Sequence, residues 1–219
     1  GSTHKPFVVS AAIEEKVVTL DTLIRCGGGS WIARNGRSRR RIKEYRGHSI
    51  GTAPVWKVIA KSSNIGSVKI GLMLQKAGRE RGAAPTFSID DSPSTGPVNY
   101  MRQYQVKCGF GRKSGLRLPG EAPGKITSPD KWSWYTDTSV PQGYEMAVTP
   151  LQLCAAYSIF ANGGLYVKPY LVEEVTDAEG RLLIHRGRAI GDKSETSHRV
   201  YSEDTVSYTH LRAHETVVH

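Results

Sequence analysis

The sequence predicts a mixed α/β domain, and three observations carry that prediction. Apolar residues recur at helical spacing over residues 54–60 and again from Ile65 to Met73, which places two helices in the first third of the chain. Thr149-Pro150-Leu151-Gln152 combines an N-cap threonine, a proline at the first helical position and a glutamine three residues after the cap, the signature of a further helix. Residues 170–184 then read as a β-hairpin, two apolar runs around Asp177-Ala178-Glu179-Gly180.

The chain begins with Gly1-Ser2-Thr3-His4-Lys5-Pro6-Phe7 and runs into the apolar residues 8–13, which predicts a helix starting at Ser2. Residues 16–20 fit a short strand or turn, and Cys26-Gly27-Gly28-Gly29-Ser30 a flexible connection. The densest positive run, Arg37 to Arg41 with Lys43 and Arg46, lies in Gly-rich polar sequence and reads as a solvated loop or hairpin. Lys61-Ser62-Ser63-Asn64 favours a turn and a helix cap, and the helix after it has Ile65, Val68, Leu72 and Met73 as its expected buried stripe. Residues 82–96, with Pro85, Pro93 and Ser94-Thr95-Gly96, form an expected inserted loop. The glycine-punctuated stretch from Cys108 to Glu121 is expected to wrap over the domain surface. In the helix opened by Thr149, Leu153, Ala156, Tyr157 and Phe160 make the expected buried face, and Asn162-Gly163-Gly164 ends it.

Composition sets the outer bounds. A chain of 219 residues with 38% hydrophobic residues can bury a core, so it is one domain or a large part of one. Lys plus Arg exceed Asp plus Glu by 30 to 20, yet the basic run carries no array of stacking aromatics, which argues against nucleic acid as a partner. Cys26, Cys108 and Cys154 are too few and too scattered for a disulfide framework or a Cys-x-x-Cys metal site. No apolar run reaches the length of a membrane span and no signal peptide is present, but the first residue is Gly. The expectation is therefore that the chain begins in mid-protein, with any anchor lying upstream.

The chemistry starts at Ser2 and Lys5. Three positions apart on a helix they share a face, with the hydroxyl at the end where unpaired N–H groups favour developing negative charge. A serine hydroxyl is a poor nucleophile at its own pKa, and a lysine whose ammonium is partly desolvated can serve as its base. Ser-x-x-Lys alone is a common spacing that also fits an N-capped surface helix. Ser62 and Asn64 change the weighting. Acyl transfer also needs a second hydroxyl to relay the proton to the leaving amine and an amide to hold the substrate's peptide carbonyl, and Ser62-Ser63-Asn64 supplies both. Ser-x-x-Lys followed by Ser-x-Asn is the order found in penicillin-interacting enzymes.

Four segments in order carry a family resemblance: residues 1–7, Ser62-Ser63-Asn64-Ile65-Gly66, Phe110-Gly111 with Leu118-Pro119-Gly120-Glu121, and Val148-Thr149-Pro150-Leu151-Gln152-Leu153. Together they resemble the transpeptidase domain of class B penicillin-binding proteins, most of all the division-type peptidoglycan D,D-transpeptidase, over residues 1 to about 205. The resemblance implies the penicillin-binding α/β fold, an antiparallel sheet flanked by helices with the site against a helical subdomain. It implies that Ser2 attacks the penultimate D-Ala carbonyl of a stem peptide, releasing the last D-Ala, and that an amine of a neighbouring strand takes the acyl group. Lys5 is then the base, Ser62 the proton relay, and Asn64 the residue that orients substrate and Lys5. β-Lactams acylate the same serine, no metal or organic cofactor takes part, and the partners are stem peptides on lipid-linked precursor or nascent glycan strands, with other cell-wall synthesis or division proteins. The parent protein is expected to be membrane-anchored and to work on the extracytoplasmic face of the bacterial cell membrane.

Three features depart from the family pattern. His4 stands where the family usually has an apolar residue; it is expected to face core or solvent, with a catalytic role as the minority reading. The family's Lys-Thr-Gly strand, which supplies positive charge and half of the oxyanion hole, has no counterpart after the Thr149 helix; Lys113-Ser114-Gly115 lies before it and is expected to be a surface turn. With that strand missing, the chain as given is expected to show little or no turnover. Residues 206–219 resemble a translated sequencing adapter, so residues 1–205 are expected to be a partial transpeptidase domain and the remainder a non-biological tail, with His210 and His214 no metal pair. The competing readings are a non-catalytic penicillin-binding module or β-lactam sensor, and a class D β-lactamase.

Overall fold

A computed structural model describes residues 1–81, 99–116, 119–186, 188–189 and 196–207. The expected loop over residues 82–96, Leu118, and the pair His210 and His214 fall outside these residues. A single 3-10 turn, Ser2–His4, leads into helix α1 (Lys5–Glu14), so the backbone winds helically from Ser2 as the sequence predicts. Phe7, Val8, Val9, Ala11 and Ala12 of α1 are all buried. A helix apolar on every side belongs inside the protein, and α1 is accordingly the central helix.

Residues 16–20 form a turn, after which β1 (Leu23–Gly27) pairs antiparallel with β4 (Gly51–Pro54). Cys26 therefore belongs to a strand, and only Gly28 and Gly29 connect it to β2 (Ser30–Asn35). β2 and β3 (Ser38–Lys43) make the basic hairpin. Its Arg40 reaches residues distant in sequence, donating to the Tyr135 carbonyl at 2.8 Å and to Thr138 Oγ1 at 2.8 Å.

Helix α2 (Val55–Ala60) and helix α3 (Asn64–Glu80) flank the Ser62-Ser63 turn, with Ser63 capping α3 by accepting from the Gly66 amide at 2.9 Å. Ile65 and Val68 of α3 face the core as expected, joined by Ile70, Gly71, Leu74, Gln75 and Gly78, while Leu72 is only half-buried and Met73 is exposed. The polar and small residues Gly71, Gln75 and Gly78 hid the second half of this face from a hydrophobicity reading. Gly71 meets the Pro141 ring, a contact no larger side chain allows, and Gln75 donates to Asp137 at 2.9 Å.

Helix α4 (Tyr100–Lys107) delivers Cys108 and Phe110 into the core, both with no exposed surface. The glycine-punctuated segment is thus buried at its start, Cys108 to Phe110, and comes to the surface at Lys113 and again at Pro119 and Gly120. The later elements are β5 (Lys125–Ile126), α5 (Trp134–Ser139), β6 (Met146–Ala147), α6 (Pro150–Ala161) and β7 (Leu165–Val167). They are followed by β8 (Glu174–Thr176), β9 (Leu182–His185), β10 (Arg188–Ala189) and β11 (Ser197–Arg199). The capping box of α6 forms as predicted, Thr149 Oγ1 accepting from the Gln152 amide at 3.1 Å and Gln152 Oε1 from the Thr149 amide at 2.9 Å. Its most buried residues are Gln152, Ala155, Ala156 and Ile159, and Tyr157 is partly exposed. Every pairing among the described residues is antiparallel: β5 with β6, β7 with β11, and β8, β9 and β10 as a three-stranded sheet. The hairpin expected over residues 170–184 is the β8–β9 pair. The fold is α/β with helices flanking small antiparallel sheets.

Two buried polar anchors tie the layers together. Tyr201, fully buried, donates to the Phe7 carbonyl at 3.1 Å and stacks on Tyr104 and Phe160. Val206, the first residue of the expected tail, packs in this same core. Asp137, also fully buried, accepts from Gln75, from the Trp132 indole at 2.8 Å and from Arg79 at 2.6 Å, joining α3 to α5. Replacing it strands buried donors. Asp137→Ala is expected to lower stability by about 3 kcal/mol, since a buried carboxylate with several donors is lost, as read from urea denaturation; a loss within about 0.5 kcal/mol, the range of ordinary surface substitutions, would refute the anchor.

Candidate active site

Ser2, Lys5, Ser62 and Asn64 converge at the N-terminal end of α1. Lys5 is 2% exposed, and its Nζ lies 3.2 Å from Ser2 Oγ, 3.0 Å from Ser62 Oγ and 2.8 Å from Asn64 Oδ1, with the Ser62 carbonyl as a further acceptor. Ser2 and Ser62 themselves are exposed, so the hydroxyls face solvent while the amine sits behind them. One helical turn brings Ser2 and Lys5 together; the fold must bring Ser62 and Asn64 from the start of α3.

Burial drives the Lys5 ammonium down from its ordinary value to about 8, with the Glu44 carboxylate opposing part of that shift. At pH 7 about a tenth of a lysine with such a pKa is neutral, against roughly one molecule in several thousand for an ordinary lysine. The neutral amine has two N–H donors and one lone pair. Asn64 Oδ1 and the Ser62 carbonyl can only accept, so they take the two N–H groups. The lone pair is left to the hydroxyls of Ser2 and Ser62.

The backbone on either side of Ser2 is held from outside α1. Tyr157 donates to the Thr3 carbonyl at 2.8 Å. Gly143, at φ +81°, packs directly on the Gly1 carbonyl with no room for a Cβ. His4 is 4% exposed and lies among Phe7, Phe110 and Gln105, its Nδ1 without a hydrogen-bond partner. It points into the core, away from the four converging side chains, which answers the question the sequence raised. Burial lowers its pKa to about 3. Between that value and the ordinary 6.5 the unfolded chain binds a proton the folded chain refuses, so stability falls as pH falls. The expected slope from this residue is up to about 1.4 kcal/mol per pH unit, and a His4→Leu chain should show less acid sensitivity between pH 6 and 4 in thermal melts; equal sensitivity would refute the assignment.

Lys113-Ser114-Gly115 forms no strand. The Ser114 amide donates to Glu121 at 2.6 Å, and Gly115 sits at φ +91° against Lys168, so this is a turn, though Ser114 itself is buried. Among the described residues no group of three His, Cys, Asp or Glu side chains is arranged to hold a metal ion. Sequence reasoning missed Glu44. Its carboxylate accepts from the Asn64 amide at 2.7 Å, from the Ile65 amide at 3.2 Å and from the Ser63 hydroxyl. Nothing in its own neighbourhood, a basic hairpin end, marks it as part of a site; only its partners do.

Residues 1–216 match the family described as penicillin binding protein transpeptidase domain. The chain is 28% identical over 180 residues to penicillin-binding protein PbpB of Mycobacterium tuberculosis, covering 82% of this chain and 22% of that protein. It is 27% identical over 175 residues to the peptidoglycan D,D-transpeptidase FtsI of Escherichia coli, covering 80% of this chain and 24% of the relative. The crystal structure of penicillin binding protein 3 from Mycobacterium tuberculosis complexed with aztreonam superposes with a TM-score of 0.72 at 24% identity, covering 97% of this chain and 40% of that one. The chain thus spans about a quarter of the length of these relatives. Family match and fold agree over nearly the whole chain, and on that footing it belongs to the penicillin-binding protein transpeptidase domain family.

Proposed function

We propose that the chain carries the serine acyl-transfer site of a division-type class B peptidoglycan D,D-transpeptidase. The observation that supports this best is that Lys5 Nζ stands within hydrogen-bond reach of both Ser2 Oγ and Ser62 Oγ. Ser2 Oγ attacks the penultimate D-Ala carbonyl and gives its proton to the neutral Lys5 amine. An ester bond to Ser2 forms, and the C–N bond to the last D-Ala breaks. The proton then passes from Lys5 through the Ser62 hydroxyl to the leaving nitrogen, so both bonds and the proton balance. The N-terminal end of the helix favours the negative charge that develops in the first step. Asn64 orients Lys5 through its Oδ1, and in this reading the one Nδ2 hydrogen not given to the Lys43 carbonyl is the donor for the substrate's peptide carbonyl. An amine of a neighbouring stem peptide reverses the sequence and completes the crosslink.

The same reading makes β-lactams acylating agents of Ser2, the partners stem peptides and other wall-synthesis proteins, and the parent protein an anchored one on the extracytoplasmic membrane face. It also takes residues 1–205 as the transpeptidase part and 206–219 as adapter-derived; finding codons 206–216 in intact genomic DNA would overturn that boundary. The function is tested by prolonged incubation with benzylpenicillin followed by intact-mass and peptide mapping. A persistent adduct on the peptide bearing Ser2 is expected, absent from Ser2→Ala. An adduct elsewhere, or none, would overturn the site; rapid loss of the adduct as hydrolysed drug would point to a hydrolase instead.

A further inference from the structure

We propose that Glu44 is a positioning residue of this acylation site: its carboxylate clamps the turn at residues 62–64 and so aims the Ser62 and Asn64 side chains at Lys5. The inference rests on the function proposed above. It arises from what Glu44 holds and from what that turn would otherwise not sustain.

Glu44 follows directly on β3, and both of its oxygens are spent on the first residues of α3: one on the Asn64 amide at 2.7 Å, the other on the Ile65 amide at 3.2 Å and the Ser63 hydroxyl. These are groups that a helix start leaves without intrahelical partners, in the place where the helix field favours an anion. The adjoining residue completes the grip, because the Lys43 carbonyl accepts from Asn64 Nδ2 at 2.9 Å. With its N–H side committed to β3, the Asn64 amide has one orientation, and Oδ1 is the atom left facing Lys5. Two consecutive residues of one strand end thus fix both the backbone and the side chain of Asn64.

Ser62 gives the second argument. Its φ of +52° lies in the left-handed region, which disfavours a serine and persists only where the surroundings over-determine it. On the α2 side, the Ser62 amide donates to the Ile59 carbonyl at 2.9 Å and the Ser63 amide to the Val58 carbonyl at 3.0 Å. On the α3 side Ser63 caps its own helix by accepting from the Gly66 amide at 2.9 Å, and Glu44 and Lys43 hold the turn from outside that helix. This conformation is what turns the Ser62 carbonyl and hydroxyl both toward Lys5 Nζ.

The same carboxylate also acts on Lys5 through its charge. Burial pushes the Lys5 pKa down, and Glu44 opposes it. The polar groups that face Lys5 from other elements are those of Ser62 and Asn64, while Ser2 faces it from its own helical turn. Glu44 in turn acts on the Cys26 thiol of β1, and it lines a cleft of about 390 Å³ with His48, Lys57 and Lys61. Removing the charge while keeping the shape should therefore move the Lys5 titration toward lower pH.

The test compares Glu44→Gln and Glu44→Asp with the unaltered 219-residue chain, using lysine labelled at Cε to follow Lys5 by NMR, and timed benzylpenicillin acylation of Ser2. Glu44→Gln is expected to lower the Lys5 midpoint and cut the plateau acylation rate at least tenfold; Glu44→Asp should restore the midpoint toward that of the unaltered chain. A Glu44→Gln chain that melts like the parent, with unchanged midpoint and unchanged plateau rate, overturns the proposal. If Glu44→Gln does not fold, Glu44→Asp decides: its shorter reach must slow the plateau rate with the midpoint nearly kept, and an unchanged rate counts against the clamp. Should Ser2 in the unaltered chain take no penicillin while Glu44→Gln still moves the Lys5 midpoint, the acylation reading fails and the coupling of Glu44 to Lys5 stands.

Discussion

Replacing Lys5 by Ala or by Arg is expected to slow benzylpenicillin acylation of Ser2 by roughly 10²- to 10⁴-fold, the range that a positioned general base contributes. The two substitutions fail for different reasons. Alanine removes the amine and leaves Asn64 Oδ1 and the Ser62 carbonyl without the donor they now share. Arginine keeps a donor but never loses its proton in a protein, so it has no lone pair to offer the Ser2 hydroxyl. The pH profile separates this chemistry from a loss of packing. In the proposed mechanism acylation requires the neutral amine, and burial lowers the Lys5 pKa to about 8. The rate should rise about tenfold per pH unit below that midpoint and level off above it, following the neutral fraction. Both variants should lose this inflection. A Lys5→Arg chain that keeps both the rate and the midpoint would remove Lys5 from the mechanism.

Gly143→Ala is expected to slow acylation of Ser2 more than the other substitutions considered outside the four converging residues. A left-handed φ of +81° is costly for alanine, on the order of 1–2 kcal/mol. The larger effect is steric. The new Cβ would occupy the space of the Gly1 carbonyl, a backbone atom that cannot rotate away, so the segment carrying Ser2 must shift. Ser2 is set by one hydrogen bond to Lys5 at 3.2 Å and by the turn that begins at Gly1. A displacement of about 1 Å at a reacting atom can cost on the order of 100-fold in rate. Acylation should fall by about that factor while the melting temperature drops by only a few degrees. Equal acylation rates in the two chains would show that Gly143 does not hold the nucleophile.

Local signals were legible wherever neighbours in sequence decide structure. The α6 capping box, the β8–β9 hairpin, the start of α1 and the Ser62-Ser63 turn all form where the residues place them. The core-facing stripe of α3 was legible only at Ile65 and Val68; beyond them Leu72 and Met73 do not face the core, because Gly71, Gln75 and Gly78 face inward for reasons of fit to Pro141, Asp137 and their surroundings. Helix α4 was missed as well: it has few apolar residues, and its tyrosines are buried by partners far away in the chain, Tyr104 against Tyr201.

By itself the sequence singled out the four side chains that the proposed acyl-transfer site uses. Ser2 and Lys5 lie one helical turn apart, and Ser62 and Asn64 frame a helix cap, so each pair is fixed by spacing along a single backbone. Only the tertiary structure decided how the two pairs meet, how deeply Lys5 is buried, and that Glu44, Gly143 and Tyr157 hold the groups in place. The physical reason is that desolvation and close packing depend on what surrounds an atom, and the surroundings of Lys5 come from α3 and the end of β3, segments whose approach no local pattern encodes.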